Sequence, residues 1–356
     1  MESSTLPPDM LFEIFSRTNL KTIGRCRMVS KDLNLITYES SFMQAFRHRT
    51  KTIAGFFTQT SFSSKPMSQR FVSITDFGTD SNLLSLNFLP CHAKIKAATK
   101  QGILLCVNEN NTRRLRIPEY YVCKPSTEEW HPIPNPRTRY FTEGIGMVAI
   151  RLDPLCYKIV RFSKPKCACI NYKSISYNAL HCEIFSSETW AWKRLNDVLL
   201  PWGELLSWKP AVSTRGALHW LITNNKIFAF FVDTESWITF ELPFALCNEH
   251  HFEHMKVVEY GGRLAMLCME ESSLHLWVME DYDTKVWSKR QTMSIEAVQR
   301  VEHDTSPLCF DNSDIALMQG FCSLILYNFK TCNSNVCKLR IDDHPDEVFP
   351  FQSDIE

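Results

Sequence analysis

The chain has 356 residues, 44% of them hydrophobic and 22% charged, which is the composition of a folded protein and excludes a disordered or fibrous one. Its 39 Lys and Arg residues balance 39 Asp and Glu residues, which argues against a general nucleic-acid binder with the basic surface needed to displace phosphate counterions. The length suits one large repeat domain joined to a small module.

Met1-Glu2-Ser3-Ser4-Thr5 offers no basic or apolar leader, so no secretory signal is expected. No uncharged apolar run reaches the roughly 18 residues of a membrane helix, so no membrane span is expected. The 14 cysteines are scattered, mostly inside apolar runs such as Ile103-Leu104-Leu105-Cys106-Val107. They read as buried free thiols of a reducing compartment, the cytoplasm or nucleus.

Short helices are predicted first. Leu11, Ile14, Phe15 and Thr18 share one helical face, Pro7 and Pro8 suit a helix entrance, and Asp9 and Glu13 place negative charge at its start. A second helix carries Leu20, Ile23 and Cys26 opposite Arg25 and Arg27. Ser30 is an N-cap for a third, with Leu33 and Ile36. Phe42 and Phe46 sit one turn apart in a fourth. So few helices bury little surface alone, which leaves two readings: a cap packed on the larger domain, or a module that needs a partner.

Leu6-Pro7-Pro8-Asp9-Met10-Leu11-Phe12-Glu13-Ile14-Phe15-Ser16-Arg17 resembles the opening of the F-box, and Arg25-Cys26-Arg27-Met28-Val29-Ser30-Lys31 resembles its second block at the matching distance. The resemblance implies an F-box over residues 1–50, a helical hook that binds a Skp-type adaptor and through it a cullin. By position it implies adaptor contacts at Leu6, Pro7, Leu11, Ile14, Phe15, Leu20, Cys26, Val29, Ser30 and Leu33. Asn19 stands where that family usually has proline, Gly24 where it has leucine and Leu33 where it has tryptophan. A helical glycine costs about 1 kcal/mol relative to alanine, so these departures bear on the strength of the adaptor contact.

After residue 90 a pattern recurs: a short apolar strand, a polar turn, an aromatic, another strand. The anchors are Trp130, Trp190, Trp237, Trp287 and Cys337, about 60, 47, 50 and 50 residues apart. That period fits four-stranded propeller blades of kelch size. Strand–glycine turn–strand hairpins precede several copies, as at Val257–Met266 around Gly261-Gly262. Thr52–Gln59 and Arg70–Thr75 supply strands of a further blade, giving about six, and Val348-Phe349-Pro350-Phe351 is placed to close the ring. The competing arrangement is an irregular pair of β-sandwiches.

Tyr121-Val122-Cys123-Lys124-Pro125-Ser126-Thr127-Glu128-Glu129-Trp130-His131-Pro132-Ile133-Pro134 resembles the recurrent phrase of the F-box-associated domain of plant F-box proteins, with Lys124 for the usual asparagine. The expected architecture is therefore a small all-α F-box followed, over residues 51–356, by an all-β, kelch-like β-propeller. Only Gly261-Gly262 resembles the double glycine of a kelch blade, and the whole chain has 11 glycines.

His250-His251-Phe252-Glu253-His254 is the densest group of metal-type ligands, but it lacks the glutamate next to the first histidine that zinc proteases use as a base, so a solvated loop is expected. Cys167-Ala168-Cys169 lacks a second cysteine pair. No metal, cofactor or catalytic residue is assigned, and the tryptophan anchors are read as structural. The links from each outer strand to the next inner strand share one propeller face and hold Arg137, Arg139, Tyr140, Phe141, Trp202, His250, His251 and His254. Aromatics and arginine are the types enriched at interface hot spots, which makes these the expected target contacts, set against ordinary solvated loops.

The resemblance implies a non-enzymatic substrate-recognition subunit of a Skp–cullin–F-box ubiquitin ligase. Its partners would be the adaptor, the cullin complex and a target protein. The alternatives are an F-box scaffold outside the ligase pathway, or a propeller lectin or enzyme.

Overall fold

A computed structural model describes residues 6–18, 20–50, 53–60, 68–75, 77, 84–108, 118–152, 155–165, 169–172, 175–243, 255–310, 314–321, 323–339 and 347–353. Four helices come first: α1 (Pro8–Phe15), α2 (Leu20–Val29), α3 (Lys31–Tyr38) and α4 (Ser40–Thr50). Pro7 enters α1 in an extended conformation and Pro8 opens it, where a missing N–H leaves nothing unsatisfied. Ser30 is extended and its Oγ accepts the Leu33 N–H at 3.3 Å, capping α3 as its position predicts. Phe12, Phe15 and Ile36 pack against a small core of Ile23, Phe42, Met43 and Phe46. Phe12 meets Phe42 edge-on at 5.4 Å.

The rest is a ring of six sheets. The first takes β1 (Ile53–Thr60) and β2 (Ser68–Ser73) from the start of the domain. The second is β3 (Lys94–Ala98), β4 (Leu104–Asn108), β5 (Glu119–Lys124) and β6 (Glu129–Ile133). The third is β7 (Phe141–Leu152), β8 (Leu155–Lys164), β10 (Ile175–Ser186) and β11 (Ala191–Arg194), with β9 (Cys169–Tyr172) and β12 (Val198–Pro201) both paired to the first half of β10. The fourth is β13 (Val212–Thr214), β14 (Ala217–Ile222), β15 (Lys226–Phe231) and β16 (Ser236–Glu241). The fifth is β17 (Met255–Tyr260), β18 (Arg263–Glu270), β19 (Ser273–Asp281) and β20 (Val286–Ser294), followed by the short helix α5 (Glu296–Val301). The sixth is β21 (Ser306–Phe310), β22 (Ile315–Gln319), β23 (Ser323–Asn328) and β24 (Asn333–Lys338). The last strand, β25 (Glu347–Ser353), returns to the first sheet and pairs antiparallel with β1, Phe57 opposite Phe349.

Why six sheets form a ring follows from the strand pattern. Along β14, Leu218, Trp220 and Ile222 join a core shared with the third sheet, while Leu221, one residue out of phase, joins a core shared with the fifth. Along β18, Leu264 and Met266 face the fourth sheet and Ala265 and Leu267 the sixth. Each sheet thus has two apolar faces, and no single sheet can bury both. The six apolar clusters of the propeller lie at the six boundaries between neighbouring sheets. The last of them joins Leu317 and Leu324 of the sixth sheet to Phe56, Val72 and Val348 of the first. Such a ring replaces the pair of sandwiches, and the blade count is six as the period predicts.

The turns between third and outer strands carry the repeat. Pro125–Glu128, Ser187–Trp190, Val232–Glu235, Tyr282–Lys285 and Phe329–Cys332 each place threonine third, and the fourth residue has φ between 51° and 58°. Where an Asx side chain precedes the turn it accepts backbone donors. Asp281 Oδ1 takes the Asp283 and Thr284 N–H groups, and Asn328 Oδ1 those of Lys330 and Thr331. Lys124 cannot accept, and its turn closes through its backbone carbonyl, which receives the Thr127 N–H at 3.2 Å. In this register the third-sheet counterpart of Trp130, Trp237 and Trp287 is the buried Trp192, with Trp190 two residues early at the left-handed position; Ser334 holds that place in the sixth sheet. The period read from the sequence holds and two anchor registers shift.

Candidate functional site

The two ends of the propeller differ in what they carry. Inner strands run from the link face to the hairpin face. The N-terminal helices lead into β1 at the hairpin face, where Glu259, at the end of β17, and Lys100, between β3 and β4, receive them. The Tyr38 hydroxyl donates to Glu259 Oε1 at 3.4 Å, and Lys100 and the Gly262 N–H also bond the Glu259 carboxylate. Burial pushes that carboxyl up, and the adjacent Lys100 ammonium outweighs it, so the group sits below its ordinary value. Arg27 lies 3.8 Å over the Tyr38 ring and donates to Thr37 Oγ1 at 3.0 Å and Thr37 O at 2.8 Å, which ties α2 to α3.

On the outer side of the helices, Leu6, Met10 and Ile14 repeat every four residues along α1 and are exposed, Met10 by 55%. Pro7 is exposed, and Leu11, Cys26, Ser30 and Leu33 are half-buried. Phe15 is also half-buried and leans on the helical core, so it supports α1 from inside. Leu20 and Val29 lie on α2, their side chains outside the described part. Met10 completes the stripe and was not among the expected contacts; the four-residue spacing from Leu6 to Ile14 is the signal that marks it.

On the link face, the segment between β6 and β7 is held from below. Trp192 Nε1 donates to Pro134 O at 2.6 Å. Arg161 on β8 and Glu183 on β10, paired at 2.8 Å and almost wholly buried, bind the next turn. Arg161 donates to Thr142 Oγ1 at 2.8 Å, to Thr138 Oγ1 at 2.9 Å and to Tyr140 O. Glu183 accepts the Thr138 N–H at 3.0 Å and its hydroxyl. A buried ion pair survives only when its remaining donors and acceptors are filled, and here the loop backbone fills them. The Tyr140 ring lies tilted against His181, centroids 5.2 Å apart, and His181 Nδ1 lies 3.0 Å from Asp197 in the following link.

The outcome is that Arg137, Arg139 and Phe141 project into solvent from a fixed loop, Phe141 78% exposed, while Tyr140 is half-buried. Trp202 is 64% exposed in the link from the third to the fourth sheet, where its N–H bonds Ser176 O at 2.9 Å. Leu205 and Trp208, 66% exposed, stand on the same link. That link is pinned by the buried Glu204, which takes Lys226 at 2.8 Å. Trp208 and Leu205 were not among the expected contacts, although the density of large apolar residues in this turn-rich stretch is a legible sign. His250, His251 and His254 lie outside the described residues. Among the described residues no three His, Cys, Asp or Glu side chains gather as a metal site, and no helix is long and apolar enough to cross a membrane.

Comparison with known proteins agrees with this two-part layout. The profile of the F-box domain matches residues 3–42 and that of the F-box associated beta propeller domain matches residues 62–334. The second match stops short of β1 and β25, the strands that close the ring. The Arabidopsis thaliana F-box protein At5g41720 is 38% identical over 167 residues, which cover 46% of this chain and 89% of that protein. F-box protein At5g49610 of the same plant is 23% identical over 86% of this chain and 84% of its own length. F-box protein CPR1, also from Arabidopsis thaliana, is 23% identical over 96% of this chain and 86% of its own length.

Proposed function

Because the chain belongs to the F-box proteins that carry an F-box-associated β-propeller, we propose that it is a substrate-recognition subunit of a Skp–cullin–F-box ubiquitin ligase. The observation that carries this reading is the pair of exposed apolar surfaces at opposite ends of one body. The stripe of Leu6, Met10 and Ile14, with Leu11 beside it, is the adaptor contact, and Cys26, Ser30 and Leu33 extend it. The link-face group of Arg137, Arg139, Tyr140, Phe141 and Trp202, with Trp208, takes the target protein. The receptor does no covalent chemistry. Holding both partners on a rigid ring raises the local concentration of target beside the ubiquitin-loaded enzyme.

Electrostatics and packing support the division of labour. The adaptor stripe is aliphatic and unbranched by charge, as a permanent contact is, whereas the target surface mixes aromatics with arginine on pre-ordered loops. The test is affinity capture of the tagged full-length chain from plant cells under proteasome inhibition. Adaptor and cullin should co-purify, together with proteins that are lost when Phe141 and Trp202 are both replaced by alanine. Recovery of adaptor without cullin would make the chain a scaffold outside the ligase pathway.

A further inference from the structure

At the link face the third sheet is built differently from its neighbours. Residues 175–180 of β10 run past the last pair with β8, His181 opposite Ser163, and are flanked instead by β9 and β12. At about 3.3 Å per residue that is roughly 20 Å of added strand, and the Trp202 N–H bonds Ser176 O near its end. At its foot, Phe141 stands opposite Lys164 across the β7–β8 pair, at the end of the loop that carries Arg137 and Arg139. The surface here is a step, a three-stranded wall rising from a floor, and its corner seats an extended segment.

Charge says what that segment carries. Arg137, Arg139 and Lys164 are all exposed, and among the described residues none of the three has a hydrogen bond or an ion pair. The carboxylates around them are mostly spent: Glu183 on Arg161, Asp197 on Arg194 and Glu204 on Lys226. Glu143, half-buried on β7, is left without a partner, so three free cations stand against one carboxylate. A phosphate site converges backbone N–H groups on one point. Here the Thr138 N–H goes to Glu183, and the cations come singly from a loop and a neighbouring strand. Cations placed singly beside exposed aromatic rings match carboxylates set around an apolar side chain. The balance of 39 basic and 39 acidic residues in the whole chain argues against a nucleic acid as the occupant.

We propose that the link face takes an extended, unmodified protein segment in which aspartate or glutamate residues flank an aromatic or large aliphatic side chain. This rests on the reading of that face as the target surface and adds the chemistry of the target. Arg137, Arg139 and Lys164 meet the carboxylates, and Phe141 and Trp202 cover the apolar side chain.

The test selects short random peptides, displayed on phage, against the full-length chain. The enriched sequences should carry net negative charge and an aromatic or large aliphatic residue. Changing their Asp and Glu to Asn and Gln should weaken binding about tenfold, and so should Arg139→Glu at an unchanged melting temperature. Exchanging a peptide acid for lysine should restore part of the loss in Arg139→Glu. Phe141→Ala with Trp202→Ala should abolish binding. If the alanine pair abolishes binding but neutralising the peptide does not weaken it, the acidic segment is wrong and the target surface stands. If neither the alanine pair nor Arg139→Glu affects the enriched peptides, or no sequence is enriched, the target reading of this face falls with it. Tighter binding of oligouridylate or of phosphatidylserine vesicles than of the enriched peptides would also overturn the proposal.

Discussion

The hook and the propeller solve the same problem, burying apolar surface, in opposite ways. The propeller closes on itself, so every sheet has a neighbour on both faces and its cores form an unbroken circle. The hook has one small core and leaves Leu6, Met10 and Ile14 uncovered. A domain of its size is marginal alone, and the part of its surface left apolar is the part offered outward. The contrast teaches that self-sufficiency and availability trade against each other: the ring keeps its apolar residues and displays only loop aromatics, whereas the hook offers a stripe of helix.

The largest effect should come from opening the circle. Val348, Phe349 and Phe351 of β25 are buried, and Phe351 meets Phe57 at 5.2 Å and Phe71 at 5.9 Å. Ending the chain after Asp343 removes the inner strand of the first sheet and exposes the cores on both sides of it. The isolated propeller should lose its cooperative thermal transition, or melt far below the intact domain. A truncated form that melts like the intact one would mean that the ring does not need its closing strand.

The next effect should fall on the hook alone. Leu11→Lys with Ile14→Lys puts two ammonium groups into an apolar contact, and burying an unpaired charge is prohibitive. Adaptor binding, measured by calorimetry, should fall below detection, a loss of a hundredfold or more. Ile14 is exposed and Leu11 half-buried, so the propeller transition should not move. Retained adaptor binding would contradict the proposed contact.

The same contrast explains what could be read from the sequence. Short apolar strands with polar turns at a steady period show a closed repeat, and the aromatic tail shows where it closes, because each blade obeys the same local rule. Anchor registers were harder. Thr189-Trp190-Ala191-Trp192 offers two tryptophans to one slot, and only the left-handed turn geometry selects Trp192 as the buried one. The β9 and β12 additions to β10 depend on long-range pairing that no period carries. In the hook, residue types marked the stripe except for Met10. On the link face, aromatics and arginines were legible by type. The Arg161–Glu183 pair that fixes them was not, since a charged residue in a strand looks solvated until its partner 22 residues away is placed beneath a loop.

A smaller effect is a pH response confined to the propeller. His219 is fully buried between the fourth and fifth sheets, its Nε2 2.7 Å from the Tyr282 hydroxyl and its Nδ1 3.2 Å from Val212 O. Burial pulls its pKa down to about 4. Unfolded, it titrates near 6.5, so between these values the unfolded chain binds the proton and the folded chain does not. Stability is therefore held above pH 6.5 and lost as pH falls towards 4, by about 3 kcal/mol in all. His219→Gln keeps a donor and an acceptor without titrating and should flatten that part of the profile, read as the shift in melting temperature between pH 7.5 and pH 5. A wild-type profile as flat as that of the variant would show that His219 does not govern acid stability.

The smallest effect concerns how well the hook is fitted to its partner. Leu33 stands on α3 one turn before Thr37, whose hydroxyl donates back to Leu33 O at 2.6 Å, so the backbone there is held whatever the side chain. Leu33 is half-buried in the free chain, which leaves part of its position for a partner to cover. Replacing it with tryptophan adds apolar area at the edge of the proposed contact, and at about 25 cal/mol per Å² an extra 50–70 Å² covered is worth between about 1 and 2 kcal/mol. Leu33→Trp should therefore tighten adaptor binding about tenfold with no change in the propeller transition, and the gain should appear mainly as slower dissociation. An unchanged or weaker affinity would mean that the adaptor surface facing Leu33 is already filled by its neighbours. The hook would then be adapted to the smaller side chain and not weakened by it.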